Sequence, residues 1–476
     1  MSNGSGSTSS GQPGGDRPRR GHSKDKITVA EPSGLKRTVG GTSVGNLMEW
    51  YGFGIFAFLV PTLSQVFFPA SGTSGLLATF AMFAAAFVTR PIGGLFFGML
   101  GDRIGRRGVL AATMIMMAVA TLAIGLLPGY ATIGIWAPIL LLVARLAQGF
   151  STGGEYAGAM TYLGEHAPDT LRGFFASWLE FGTLSGYVLG ATIVTGITAL
   201  LSEQALMSWG WRIPFLLAGP LGLIGLYLRT RLEESPAYEQ HTENRGGDQD
   251  TFGEQFRNTV LDPWRLLLIC GGLVLAYNVT NYMLTQYMLT YLSAELGVPK
   301  TPALMVVLAV MLILMVLVTF AGRFSDWIGR KPLLIAGCVS LVVLSAPAFL
   351  LIAEGGYALI FPGVLLIGLM LVCFSSTIPS TLPALFPTDI RYGALAIGFN
   401  NTVAMIGGTT PLIAESLVSA TGSKLMPAFL LVVAGVIGGI AIFFTRESAG
   451  LPLPSESPTA VSKSEAQELS EITRRK

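Results

Sequence analysis

Five ionisable side chains, Glu49, Arg90, Arg145, Glu155 and Glu180, stand in stretches otherwise apolar enough to dissolve in lipid. Hydrocarbon cannot solvate a charge, so a charge within a membrane span faces protein or water and marks a proton, ion or substrate path. The set holds three acids against two permanent cations. One acid therefore lacks a fixed partner, and in a partly dry cavity such a group can take and release a proton near neutral pH. These five form a proton-coupling set, with Glu49 the leading carrier and Glu180 the second. For either acid the alternative is a static pair with Arg90 or Arg145. At about 1.5 Å of rise per residue, Glu49, Arg90 and Glu180 share a layer roughly 12 to 14 Å deep, with Arg145 nearer the middle and Glu155 nearer the inner mouth. Arg145 and Glu155 lie ten residues apart on one helix, about 15 Å, and cannot pair. Arg145 is expected to find its carboxylate on another helix, at Glu49 or Glu180. Glu415 is left open between this network and a solvated place at the outer interface.

Polar and aromatic residues mark where a solute would sit. NLMEWYGFGIF at 46–56 brings Asn46, Trp50 and Phe53 onto the broad face that carries Glu49, and YNVTNYMLTQY at 277–287 repeats the device with Tyr277, Asn278, Asn281 and Tyr282. Gln148, three residues past Arg145, shares its helix face and can bridge to it or meet the solute. Facing aromatics beside a carboxylate suit a small cation or a zwitterion with a quaternary or secondary ammonium group. Any one of these rings, taken alone, is equally at home in a core or against lipid.

The elements that must hold these groups are membrane helices. The chain of 476 residues is 51% hydrophobic and only 12% charged, about half the charge of an ordinary soluble domain. Apolar runs long enough to cross hydrocarbon recur almost throughout, and they lack the ten-residue alternation of a membrane barrel. They predict twelve spans near 40–66, 76–98, 109–128, 133–160, 172–200, 209–229, 266–292, 303–322, 333–352, 358–383, 393–419 and 425–445. The chain divides into a disordered cytoplasmic tail (1–37), a six-helix bundle (38–232), a cytoplasmic loop (233–263), a second six-helix bundle (264–446) and a cytoplasmic tail (447–476). With the head inside, only Lys300 and Lys424 of the 30 basic residues fall outside, and Arg90, Arg145 and Arg212 fall within or at the edges of spans. That bias places both termini in the cytoplasm. The basic residues thus report topology, and nucleic acid is not an expected partner.

GMLGDRIGRR at 98–107 and GRFSDWIGRK at 322–331 occupy the same point of each half. A parallel repeat of this kind belongs to transporters whose solute site lies between the halves near midplane. The two loops form an inner gate of Gly98, Asp102, Arg103, Arg106 and Arg107 in the first copy and Gly322, Asp326 and Arg330 in the second. The acid of such a loop can accept from the bare amides of a neighbouring helix N-terminus or pair with an arginine. Gly182, Gly186 and Gly190 line one face of the fifth span and permit close helix approach. Gly153 and Gly154 soften the fourth span just before Glu155. No phosphate-binding loop is present, and Cys270, Cys338 and Cys373 have the spacing of neither a zinc site nor a disulfide framework. Secondary transport is expected, without cofactor or metal and without enzymatic chemistry, and a monomer can suffice. A channel or a purely structural membrane protein are the competing classes.

GNLMEWYGF at 45–53, RPIGGLFFGMLGDRIGRR at 90–107, RLAQGFSTGGEY at 145–156, WGWRIPF at 209–215, RLEESPAY at 231–238 and LPALFPTDIRYGALAIGFN at 382–400 together resemble the metabolite:proton symporter family of the major facilitator superfamily. The resemblance spans residues 38–450 and lies nearest the branch that carries proline and glycine betaine. It implies an all-α membrane fold of twelve helices in two six-helix halves, and proton-coupled uptake of proline, glycine betaine and ectoine across a bacterial cytoplasmic membrane. Relatives for citrate, 2-oxoglutarate or shikimate share the gate motifs and supply the alternative solute class. Two departures stand out. Gly52 occupies a position where the family usually has Asp, and SEAQELSEITRRK at 464–476 is too short for the dimerising coiled coil of osmosensing relatives.

Overall fold

The computed structural model describes residues 28–29, 32–68, 73–104, 106–230, 257–455 and 458–467. Among the described residues, twelve helical spans follow one another. The first six are α1 (Pro32–Phe58, continued by Val60–Phe67), α2 (Thr73–Val88 and Arg90–Ile104), α3 (Arg106–Leu126), α4 (Trp136–Thr152 and Glu155–His166), α5 (Arg172–Leu200) and α6 (Arg212–Thr230). The second six are α7 (Trp264–Tyr282, running on to residue 295), α8 (Lys300–Ile328), α9 (Arg330–Ala353), α10 (Tyr357–Ser375, then Ile378–Thr381), α11 (Thr388–Thr402 and Thr410–Thr421) and α12 (Met426–Phe444). Large apolar side chains such as Leu223, Phe320, Val343 and Ile440 are exposed on the outward helix faces. In a bilayer this belt meets lipid, so the helices must be held together by close packing and internal polar contacts instead of by exclusion of water.

Small residues provide that packing. Gly182, Gly186 and Gly190 of α5 lie against Ser43, Leu47 and Ile55 of α1. Gly149 and Gly153 of α4 face the carbonyl oxygens of Ala86 and Arg90 on α2 so closely that a Cβ would collide with them. The halves meet mainly along α5 with α8 and α2 with α11, and Gly173 and Gly322 sit against each other's helix in the first of these seams.

Several spans expected to be continuous are interrupted or distorted, among them α1, α4 and α7. α1 bends by 67° at Leu59, just before Pro61, whose missing N–H removes a hydrogen bond from the turn. α4 breaks at Gly153–Gly154, so Glu155 stands in the first turn of a new helix segment. α7 carries wide π-turns at Met283–Tyr287 and Tyr291–Glu295. Gly329 joins α8 to α9 at φ 103°, a conformation that costs any residue with a Cβ.

The termini meet on one face. Thr28–Val29 (β1) pairs in parallel with Thr459–Ala460 (β2), one small departure from an all-helical chain. Residues 1–27 of the expected head, and 231–256 of the expected central loop, lie outside the described residues. The described part of the expected tail 447–476, residues 447–455 and 458–467, lies across this terminal face. Glu447 accepts from the backbone amides of Arg330 and Lys331 at 3.0 Å each. Arg172 of α5 donates to the Leu451 carbonyl at 2.9 Å, Arg391 of α11 donates to Pro454 at 3.0 Å, and the Thr459 amide reaches Asp169 at 3.1 Å. The segment is thus bonded to both halves.

Candidate functional site

The charged side chains at the centre are fully buried, and their partners sort them into three groups. Glu49 and Arg90 form an ion pair at 3.3 Å across α1 and α2. The Arg90 guanidinium lies 5.4, 4.9 and 4.5 Å from the ring centres of Trp50, Phe53 and Phe87, while its Nε and Nη1 have no hydrogen-bond acceptor among the described residues. Arg145 departs from expectation. It has no carboxylate partner among the described residues; it donates to Gln148 at 2.6 Å and to the Met82 and Phe83 carbonyls at 3.5 and 3.4 Å, and it lies 4.2 Å from the centre of the Phe56 ring. Carbonyl dipoles and ring faces replace an ion pair here. Gln148 in turn donates to Thr121 at 2.7 Å, so this chain of bonds stays inside the first half.

Glu180 forms the third group. One of its oxygens accepts from the Tyr156 hydroxyl and the other from the Tyr277 hydroxyl at 2.7 Å. Tyr156 belongs to α4 and Tyr277 to α7, so a single carboxylate ties the two halves together. Both its partners are neutral, whereas Glu49 has a guanidinium. Neutralising an acid with only neutral partners strands no opposite charge, whereas neutralising Glu49 would strand that of Arg90.

Around these groups stands an aromatic box. Trp50 packs against Tyr187, Tyr282 and Tyr156 with ring centres 5.5, 6.2 and 6.3 Å apart. Tyr282 meets Phe87 at 5.4 Å, and Tyr156 stacks on Phe399 of α11 at 4.8 Å. The Trp50 indole donates to Asn46 at 3.0 Å, and Asn46 donates to the Leu179 carbonyl and to Thr183. Asn46 therefore orients the box from behind, bonded to α5. Asn278 is likewise committed, to the Val274 carbonyl one turn back at 2.9 Å. Asn281 Nδ2, the Tyr282 hydroxyl and Gln286 Oε1 are buried without a hydrogen-bond partner among the described residues. Buried polar atoms left bare beside a ring box are what a polar ligand would complete.

Tyr156, Tyr187, Gln286 and Phe399 were not among the residues singled out by sequence. Tyr187 was within reach, because it lies seven residues past Glu180 and so on the same helix face. Gln286 stands inside the quoted stretch at 277–287. Phe399 stands inside the quoted stretch at 382–400, but its contact with Tyr156 depends on α11 crossing the seam.

At the terminal face lies the second copy of the repeated loop, expected as part of an inner gate. Asp326 accepts from the amides of Gly173 and Phe174, at the start of α5, at 2.7 and 2.8 Å, and stands 3.9 Å from Arg330. Arg330 also donates to Ser380 and Ser448 at 3.1 and 2.9 Å. Gly322 packs against Ser177. Arg391 and Glu165 pair across the seam at 3.1 Å, and the Asn400 amide reaches the Gly153 carbonyl at the break in α4. Glu155 is buried beside Glu49 on the wall of a small cavity in the first half that also touches Gly52, Met117 and Thr121. The surroundings of Gly98, Asp102, Arg103, Arg106 and Arg107 lie outside the described residues.

Two helical halves closing over buried charges at their seam match a family model described as Major Facilitator Superfamily over residues 42–410. The chain belongs to this superfamily. It is 46% identical over 451 residues to the "Glycine betaine/proline/ectoine/pipecolic acid transporter OusA" of Dickeya dadantii, covering 94% of this chain and 90% of that one. It is 45% identical over 449 residues to the "Proline/betaine transporter" of Escherichia coli K12, covering 93% and 90%. Among solved structures, the proton:xylose symporter XylE bound to 6-bromo-6-deoxy-D-glucose superposes with a TM-score of 0.69 at 20% identity, covering 88% of this chain and 98% of the other. An inward-open XylE gives 0.66 at 18% identity. These likenesses establish the twelve-helix fold. The chain is a multi-pass membrane transporter and not an enzyme.

Proposed function

We propose that the chain imports zwitterionic compatible solutes, proline and glycine betaine foremost and ectoine with them, by proton symport through alternating access across a bacterial cytoplasmic membrane, with both termini inside. The observation that carries the reading is Glu180, held by one tyrosine from each half and, among the described residues, by no cation, beside an aromatic box with bare polar atoms. An ionised Glu180 accepts from both tyrosines and draws the halves together; a protonated one must donate its own proton and gives up part of that grip. Protonation thereby shifts the balance between conformations, which is the coupling a symporter needs. The ammonium end of the solute lies against Trp50, Tyr187 and Tyr282, and its carboxylate meets the bare N–H groups of Arg90 and Asn281. The printed names of the relatives support the same solute class.

The experiment is uptake by purified protein in liposomes, with glycine betaine, proline and citrate offered separately, with and without an imposed proton gradient. Glycine betaine and proline accumulate saturably and a protonophore abolishes accumulation. Glu180→Gln retains solute counterflow within about threefold and loses uphill accumulation. Uptake indifferent to the gradient removes proton coupling, and exclusive citrate uptake transfers the site to carboxylate metabolites.

A further inference from the structure

The proposal that follows rests on the reading of the chain as an importer of zwitterions with its termini inside. One buried acid stands outside the machinery described so far. Glu415 lies in the last segment of α11, six residues before its outer end at Thr421, and is completely buried. Its Oε2 accepts from the Tyr287 hydroxyl at 3.1 Å. Its Oε1 is buried with no hydrogen-bond partner, and no basic side chain pairs with it, among the described residues. A buried carboxylate oxygen left bare is costly, and its persistence asks what completes it.

The surroundings answer in part. The Tyr287 ring packs on Phe80 of α2 and on Tyr291, both at 6.0 Å between centres. Tyr291 is anchored by donating to the Lys424 carbonyl at 2.8 Å. Phe80 comes from the first half, while Tyr287, Tyr291 and Glu415 come from the second. About two turns deeper, Gly408 of the second half meets Phe87 of the first. Glu415 and its rings therefore border the outer seam, and the rocking that opens the outer face draws Phe80 away from Tyr287 and uncovers them.

We propose that Glu415, Tyr287 and Tyr291 form an outer subsite that captures the quaternary or secondary ammonium end of the solute before it reaches the central box. Aromatic faces and a carboxylate together suit a bulky, weakly hydrated cation. Held this way, the solute points its own carboxylate inward, away from Glu415 and toward the bare N–H groups of Arg90.

The test uses the full chain in liposomes with glycine betaine as probe. Glu415→Gln raises the external KM about tenfold, the scale of one lost desolvated cation contact. Its Vmax stays within about twofold, and the KM measured from the opposite membrane face is unchanged. Tyr287→Leu moves the external KM in the same direction, and Glu415→Asp, which keeps the charge, stays nearer to wild type. An unchanged external KM in Glu415→Gln overturns the subsite. So does loss of uphill accumulation with normal counterflow, which would make Glu415 a proton carrier. If Glu415→Gln fails to fold, the other two variants carry the test, and equal external KM values for Tyr287→Leu and wild type reject it. Failure of wild-type protein to accumulate glycine betaine would instead overturn the underlying function, in the control arm.

Discussion

Glu49 and Glu180 are the same side chain at nearly the same expected depth, and their neighbours give them different chemistry. Glu49 balances Arg90, whose guanidinium is buried among three rings. Removing the acid alone leaves an uncompensated buried cation, so Glu49→Gln should lower the free energy of unfolding by about 3–5 kcal/mol. The double variant Glu49→Gln with Arg90→Met should recover most of that loss, a comparison made by thermal unfolding in detergent. Glu180→Gln alters an acid that no cation pairs with among the described residues, and should unfold near the wild-type temperature while losing proton-driven accumulation. Equal unfolding temperatures for Glu49→Gln and Glu180→Gln would contradict this division. The need for intramembrane charge was legible in the sequence from the cost of burying it. Which acid pairs with which arginine was not, because Arg90 is 41 positions from Glu49 and Arg145 took carbonyl partners that no residue type advertises.

At the scale of elements, the fourth helix carries its instructions in glycine. Gly149 and Gly153 let α4 approach α2 until backbone meets backbone, while Gly196 near the end of α5 has nothing within 4 Å of its would-be Cβ. Gly153→Ala should therefore cost about 1–3 kcal/mol through overpacking, and Gly196→Ala should leave the unfolding temperature unchanged or slightly raised. Glu447, beyond the last span, is a second element-level device. Burial alone would raise its pKa, but four backbone amides, those of Arg330, Lys331, Ser448 and Ala449, outweigh burial and hold it below the usual carboxylate value. A depressed folded pKa means that the stabilisation is fully present above the unfolded value of about 4.3 and is lost only as pH falls through the lower folded value. Protease sensitivity of the segment after residue 447 should accordingly be flat from pH 7 to pH 5, whereas Glu447→Gln should increase it at both.

At the scale of the molecule, the two halves are closed over the site, and the terminal face carries the more extensive clasp. Asp326 on the start of α5, Arg391 with Glu165, and the segment bonded to Arg172, Arg391 and Asp169 all cross from one half to the other. Opening this face must break them together. Truncation after Gly450 removes the Leu451 and Pro454 acceptors and β2. In a background without the native cysteines, it should increase the labelling rate of Ser325→Cys, a buried position on α8 at the seam, by about threefold or more. Unchanged labelling would show that the gate bonds alone hold the face shut.

Hydropathy and charge bias in the sequence by themselves determined the expected twelve spans and the short list of buried charges, because each follows from what hydrocarbon excludes along a single helix, while the superfamily was legible only through its resemblance in several separated motifs. The parallel repeat was legible from recurrence along the chain: Asp326 and Gly329 stand in the register of Asp102 and Gly105. Only the tertiary structure decided the partners. The break at Gly153–Gly154, the two tyrosines on Glu180, the stacking of Phe399 on Tyr156 and the final segment lying across both halves all depend on which helix faces which. Contacts between residues on different helices are set by the packing of whole helices, and no local pattern records them.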